Sequence, residues 1–302
     1  MGKKELREKI KRLKEEKNAI ILAHNYQIPE VQDIADFLGD SLGLSRKAAQ
    51  TDADVVVFCG VQFMAETAAI LCPEKRILLP EKIAGCEMVR LFSREELQQL
   101  KEEHPEAEVV AYVNSSAETK AEADICCTSA NAIEVVNSLE AKKVIFVPDK
   151  YLANYVSRHT DKKIIPASSY CPFHANISPE EIKEKRGLYP DAEVVVHPEC
   201  TPEVIALADK VGSTSVMGRY ARDSNAKSFI IGTEVGMIYR LKKDNSAKEF
   251  YPASEKAICR DMKLITLEKI LRSLQEMKYR VEIPDVVRVK AKKAVDRMME
   301  IR

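Results

Sequence analysis

The chain reads as an α/β protein built of three similar parallel-sheet α/β/α units, packed with pseudo-threefold symmetry around a central metal centre and cavity. Three observations predict this. Short continuous apolar runs alternate with helical patterns along the chain, as expected for strands buried on both faces of parallel sheets with crossover helices covering them. An apolar run ending in proline precedes a cysteine three times: Ile77-Leu78-Leu79-Pro80 before Cys86, Ile164-Ile165-Pro166 before Cys171, and Phe250-Tyr251-Pro252 before Cys259. These cysteines are spaced by 85 and 88 residues, and the polar clusters at strand ends, beginning at His24, Tyr112 and His197, are spaced by 88 and 85. Two sets of landmarks therefore give nearly one period.

Each element follows from its own pattern. Residues 3–17 predict an amphipathic helix with Leu6, Ile10 and Leu13 on one face. The apolar run 19–23 predicts a strand ending in His24-Asn25-Tyr26; 30–50 reads as helical; 54–58 is a second strand, followed by a helix from Met64 to Leu71, and 77–79 a third. The second pass has strands at 109–111, ending in Tyr112-Val113-Asn114, and at 123–127, ending in Thr128-Ser129. A helix over 130–139 and strands at 144–147 and 164–165 complete it. The third has a strand at 193–196 ending in His197-Pro198-Glu199, and a helix opened by Thr201 as N-cap with Pro202 at its first position. Residues 208–211 lead into the loop Gly212-Ser213-Thr214-Ser215, and 229–232 is another strand. Ser93-Arg94-Glu95-Glu96 and Ser178-Pro179-Glu180-Glu181 are helix starts of the Ser-x-x-Glu kind. They divide the chain into units 1–92, 93–177 and 178–283. Leu267, Ile270, Leu271, Leu274 and Met277 stripe one terminal helix; Val287, Ala291, Ala294 and Met298 stripe another over 284–302, expected to pack back on the first unit.

Composition bounds the function. The 302 residues suffice for two or three cores. No apolar run is long enough to span a bilayer, and residues 1–17 are charged throughout without the apolar centre of a signal peptide. A soluble, cytoplasmic protein without a membrane partner is expected. The 47 basic and 47 acidic residues balance, so no overall field favours nucleic acid. Eight cysteines in a reducing compartment point to metal binding or catalysis rather than disulfides. Cys59, Cys126 and Cys127 lie in apolar runs and are expected to be core residues.

Ligands of open parallel sheets bind beyond the carboxyl ends of the strands. Here those ends carry His24, Asn25, Tyr26, Tyr112, Asn114, Ser129, His197, Glu199, Ser213 and Thr214. Three convergent thiolates, Cys86, Cys171 and Cys259, would leave one coordination place open. On zinc that is an open catalytic site; on a [4Fe–4S] cluster it leaves one iron without a protein ligand, a Lewis acid for a substrate oxygen. Thiolates suit both metals, and spacing does not choose between them. There is no Cys-x-x-Cys, and no Gly-x-Gly-x-x-Gly or Walker-type loop supports nucleotide binding. From these residues alone a cluster enzyme, a zinc hydrolase or aldolase, and a non-enzymatic module with a metal staple all stand.

A longer series of motifs is more specific. It runs His24-Asn25-Tyr26, Asp40-Ser41, Phe63-Met64-Ala65-Glu66-Thr67-Ala68, Gly85-Cys86-x-Met88, Tyr112-Val113-Asn114, Cys171-x-x-His174, His197-Pro198-Glu199-Cys200, Gly212-Ser213-Thr214-Ser215 and Cys259-x-x-Met262-Lys263. In this order, and nearly end to end, it resembles the quinolinate synthase family. The resemblance implies three domains around one [4Fe–4S] cluster per chain. It implies a transferase of NAD biosynthesis that condenses iminosuccinate (iminoaspartate) with dihydroxyacetone phosphate to give quinolinate, with loss of two waters and phosphate. By matching motif, Cys86, Cys171 and Cys259 would hold the cluster. His24, Ser41, Tyr112, Val113, Asn114, Ser129, His197, Pro198, Glu199 and Thr214 would surround the substrates. Tyr26 would be the acid/base closest to ring closure, with His24, His197 and Glu199 as further catalytic groups. Loss of water needs a Lewis acid on the leaving oxygen and a base for the neighbouring proton, which Glu199, His197, His24 or Tyr26 could supply. Val216-Met217 departs from the smaller residue expected after Ser215 and puts the shape of that loop in question. Cys200 fits the pattern without being an expected ligand. His104, His159 and His174 receive no catalytic role, His174 being expected beside the ligand Cys171. An L-aspartate oxidase or dehydrogenase would supply iminosuccinate. A chain that closes its own cavity is expected to be a monomer.

Overall fold

The computed structural model describes residues 2–301. Their strands form three parallel four-stranded sheets. The first holds β1 (Ala19–His24), β2 (Phe37–Gly39), β3 (Val55–Cys59) and β4 (Arg76–Leu78). The second holds β5 (Glu108–Tyr112), β6 (Ile125–Cys127), β7 (Lys143–Val147) and β8 (Lys163–Pro166). The third holds β9 (Glu193–Val196), β10 (Lys210–Val211), β11 (Ser228–Gly232) and β12 (Glu249–Pro252). The orders are β2-β1-β3-β4, β6-β5-β7-β8 and β10-β9-β11-β12, the same topology three times. In each, chain direction reverses beside the first strand, which places the switch point of an open α/β sheet at the carboxyl ends of β1, β5 and β9. Those ends are His24, Tyr112 and the residue before His197.

Burial explains the central strands. Val55 to Cys59 are all buried and pair in register with Ala19 to Ala23. β5, β7, β9 and β11 keep only their first residue partly exposed, as two-faced coverage requires.

The edge strands differ from the sequence reading. Residues 30–50 are not one helix: Pro29–Ile34 and Ser41–Gln50 flank β2. Asp36 imposes the break. Its carboxylate accepts the Ile21 N–H at 2.7 Å and its own N–H donates to the Ile21 carbonyl at 2.9 Å, pulling the following residues alongside β1. Asp209 repeats the device in the third sheet, accepting from Val194 at 2.7 Å and donating to its carbonyl at 2.8 Å, so Lys210–Val211 is a strand rather than a lead-in to a loop. Asp40 then caps Ser41–Gln50 by accepting the Gly43 N–H. Ser93 and Ser178 cap their helices, Ser178 with Glu181 in a reciprocal capping box. Thr201 precedes the helix Pro202–Ile205 without a side-chain cap bond, because Pro202 supplies the fixed start.

Two compact units contain these elements. One comprises residues up to Cys86, Val113–Cys126 and residues from Arg260 onward; the other comprises Glu87–Tyr112 and Cys127–Cys259. In the first, Leu267, Ile270, Leu271 and Leu274 bury one face of Leu267–Glu276, which packs on the helix Lys3–Glu16. Asp285–Glu300 packs on Gln62–Leu71 and Ala117–Ala121, burying Ala291, Ala294 and Met298. In the second, Ile182, Val194, Val196, Val204 and Ile230 form a core under the third sheet. No described helix is long and apolar enough to cross a membrane.

Candidate functional site

In the second unit the strand ends bring a polar group into the interior. Tyr112 closes β5, Asp149 follows β7, His197 and Glu199 follow β9, Thr233 follows β11, and the short helix Pro172–Ala175 carries His174 just after Cys171. All are buried. His174 Nδ1–H donates to Glu199 Oε2 at 2.7 Å, and its Nε2 meets the Thr233 hydroxyl at 2.8 Å. The His174 and His197 rings stack at 4.5 Å, 10° from parallel. The Tyr112 hydroxyl hydrogen-bonds Glu199 and Ser129.

Burial alone would raise the Glu199 carboxyl, but the charges of His197 and His174 and the hydrogen bonds from His174 and Tyr112 hold it well below the ordinary carboxylate range. Burial and the Glu199 charge push Asp149 and Tyr112 up. One buried carboxylate is thus kept ionised, with donors on both sides.

The first unit has a matching turn. The Tyr26 N–H donates to His24 Nδ1 at 3.2 Å, as the Glu199 N–H donates to His197 Nδ1 at 3.3 Å. The Gln27 N–H closes back on the His24 carbonyl and the Cys200 N–H on the His197 carbonyl, both at 3.0 Å. The two turns therefore hold their imidazole rings in the same way. Tyr26 takes the place that Glu199 holds in the other turn. The His24 and Tyr26 rings meet edge to face at 4.5 Å, and Lys263 Nζ donates to the Tyr26 carbonyl at 2.5 Å.

Among the eight cysteines, Cys59, Cys72, Cys126, Cys127 and Cys200 are sealed in the interior, whereas Cys86 and Cys259 are half-buried and Cys171 is 6% exposed. Burial pushes the thiols of Cys59, Cys72, Cys126 and Cys200 up, the state of inert core thiols. The three cysteines singled out by spacing are the least buried of the eight. Cys171, His174 and Glu199 each bring one potential metal-binding atom to within 4.8 Å of the others. Both His174 nitrogens are already engaged by Glu199 and Thr233, which accounts for that closeness by hydrogen bonding.

Comparison with known proteins settles the family. A family model described as NadA, quinolinate synthetase A protein, matches residues 8–300. A quinolinate synthase of Dehalococcoides mccartyi (strain CBDB1) is 57% identical over 293 residues, 97% of each chain. One from Methanosarcina barkeri (strain Fusaro) is 56% identical over 302 residues, covering 100% of this chain and 99% of the relative. One from Geobacter sp. (strain M21) is 52% identical over 301 residues, with the same coverage. The chain belongs to the quinolinate synthase family.

The residues that the quinolinate synthase resemblance singled out fall into two sets, one per compact unit. Tyr112, Ser129, Cys171, His197, Pro198, Glu199, Thr214 and Cys259 belong to the second unit; His24, Tyr26, Ser41, Cys86, Val113 and Asn114 belong to the first. Ser41 and Thr214 each open a helix, behind the caps Asp40 and Ser213. The departure at Val216 is accommodated locally. Its N–H is capped by Ser213, and its side chain lies against Gly212 so closely that no Cβ fits there, while Met217 goes into the core. Cys200 belongs to the third-sheet core, its thiol directed at the Gly232 carbonyl at 3.5 Å.

Sequence reasoning set His174 aside and passed over Asp149 and Thr233. The available signal was positional: Asp149 and Thr233 directly follow the third strands of their sheets, the equivalent of a site position in each repeat.

Proposed function

We propose that this chain makes quinolinate from iminosuccinate and dihydroxyacetone phosphate, releasing two waters and phosphate, in the cytoplasm as a step of NAD biosynthesis. Membership of the quinolinate synthase family over residues 8–300 carries the reading. The substrates would be small molecules, supplied in the case of iminosuccinate by an L-aspartate oxidase or dehydrogenase, and the chain would act as a monomer. The division into units 1–92, 93–177 and 178–283 fits the threefold recurrence of one strand order.

The donor set fits one [4Fe–4S] cluster on Cys86, Cys171 and Cys259, because these three are the least buried of the eight cysteines while the other five are sealed. Such a cluster, with one iron lacking a protein ligand, supplies a Lewis acid for a substrate oxygen when bound. The chain supplies the rest. Glu199, ionised and aimed by His174, takes the proton beside the departing hydroxyl. His197 and His24 donate to substrate oxygens. Tyr26 moves the proton of ring closure. Ser41, Ser129 and Thr214, with Tyr112, Asn114 and the Val113 N–H, offer donors for phosphate and carboxylate groups without adding negative charge, while Pro198, which has no N–H, shapes the turn between His197 and Glu199.

The test is iron and sulfide analysis of anaerobically purified protein, combined with a quinolinate assay on the two substrates. Four irons per chain and quinolinate formation are expected. Cys86→Ser, Cys171→Ser and Cys259→Ser should each lose the cluster while Cys59→Ser and Cys127→Ser keep it. A colourless zinc protein, or a cluster retained in any of the first three variants, would refute the assignment.

A further inference from the structure

The three cysteines share a backbone anchor that the family assignment does not describe. In each repeat, a residue just after the third strand donates its N–H to the carbonyl two residues before the cysteine. Gln62 donates to Ala84 at 2.8 Å, Lys150 to Ser169 at 2.8 Å, and Val235 to Ala257 at 3.0 Å. The residue preceding each donor is Val61, Asp149 and Glu234 respectively. In two repeats it is therefore a carboxylic acid, and both acids are fully buried.

Both acids have the same two duties. Asp149 Oδ1 accepts the N–H groups of Tyr151 and Leu152 at 2.8 and 2.7 Å, capping the next helix, while Oδ2 accepts the N–H of Cys171 at 3.2 Å. Glu234 Oε2 accepts the N–H of Gly236 at 2.7 Å, where its helix starts, while Oε1 accepts the N–H of Cys259 at 3.3 Å. Val61 holds the cap position of Gln62–Leu71 without a side-chain cap bond and has no carboxylate to offer near Cys86.

We propose that Asp149 and Glu234 are positioning residues for the cluster, each clamping its cysteine's peptide to the start of a helix. A clamped N–H fixes the cysteine's backbone and with it the direction of the Cα–Cβ bond from which the sulfur projects, and groups behind metal ligands set affinity by such orientation. The inference rests on the reading that Cys171 and Cys259 hold the cluster.

Asp149→Asn and Glu234→Gln keep shape and one acceptor oxygen for the helix start, but turn an NH2 towards the cysteine N–H. The measurement is the rate of iron release from anaerobic holo-protein to a ferrous chelator, together with the melting temperature of the metal-free protein. Each variant should release iron roughly tenfold faster than the parent with its metal-free melting temperature unchanged. Parent-like release, or acceleration that only follows a fall in melting temperature, overturns the proposal. Should either amide variant fail to fold, Asp149→Glu and Glu234→Asp carry the test: each keeps an acid but changes its reach to the cysteine N–H and should release iron faster at an unchanged metal-free melting temperature, and parent-like release overturns the proposal. Failure of the ligand reading is distinguishable, because it appears as four irons per chain in Cys171→Ser or Cys259→Ser.

Discussion

Each compact unit buries a glutamate near a nitrogen base: Glu199 lies at hydrogen-bond distance from His174, and Glu66 lies within electrostatic reach of Lys120. In the second unit Glu199 is bound to His174 at 2.7 Å among residues that end strands at a switch point. In the first, Glu66 sits inside the helix Gln62–Leu71, accepting the Ala117 N–H at 3.0 Å and Gln62 Nε2 at 2.9 Å. Its base is Lys120, 0% exposed, whose ammonium donates to the Ser115 carbonyl and lies 5.8 Å from the centre of the Phe63 ring. Burial costs both pairs the hydration of their charges. Glu199 recovers it from the His174 hydrogen bond and from the charges of His174 and His197. Glu66 and Lys120 recover it from backbone groups that tie Ala117–Ala121 to Gln62–Leu71. On the proposed function, what separates the two is the address: the carboxyl end of a sheet, or the seam between helices.

The largest effect should come from Glu199→Gln. The amide cannot take a proton and accepts poorly from both His174 and Tyr112. Steady-state quinolinate formation should fall about a thousandfold with iron per chain retained. A rate within a few-fold of the parent would move Glu199 to the structural side of the comparison. Tyr26→Phe probes the matching place in the first unit's turn. It removes one hydroxyl and leaves the bond from the Tyr26 N–H to His24 intact. A loss of roughly a hundredfold in turnover at unchanged iron content is expected, and unchanged turnover would take Tyr26 out of the mechanism.

The sequence revealed these addresses better than the pairings. Runs such as Val55–Cys59 and Lys143–Val147 announce themselves because a strand covered on both faces has no polar side, and the recurrence of His24, Tyr112 and His197 located the switch points. β2 and β10 were illegible as strands, being three and two residues long and set by a reciprocal bond from Asp36 or Asp209 to a strand far off in sequence. The partners of His174 lie 25 and 59 residues away, so only folding brings them together. Lys120 gave no signal at all, since nothing local distinguishes a lysine that will be buried.

That lysine offers the smallest and most specific test of the comparison. Burial lowers the Lys120 pKa from 10.5, with Glu66, Cys126 and Glu118 pulling the other way. Between its lowered folded value and 10.5, the unfolded chain still holds a proton that the folded chain has released. Stability of the parent should therefore rise with pH across that window, by about 1.4 kcal/mol for each unit of lowering. Lys120→Met removes this group's contribution and leaves the others in place, so the stability of the parent relative to the variant should shift in the parent's favour as pH increases. Denaturant unfolding of both metal-free proteins at a series of pH values up to 10 reads the difference directly, and cancels groups remote from Lys120, such as the buried thiol of Cys59, which titrate alike in both. A difference that stays flat would mean the Glu66 charge fully balances the burial of Lys120. The first unit's pair would then resemble Glu199 and His174 in electrostatics as well as in burial, and address alone would separate them.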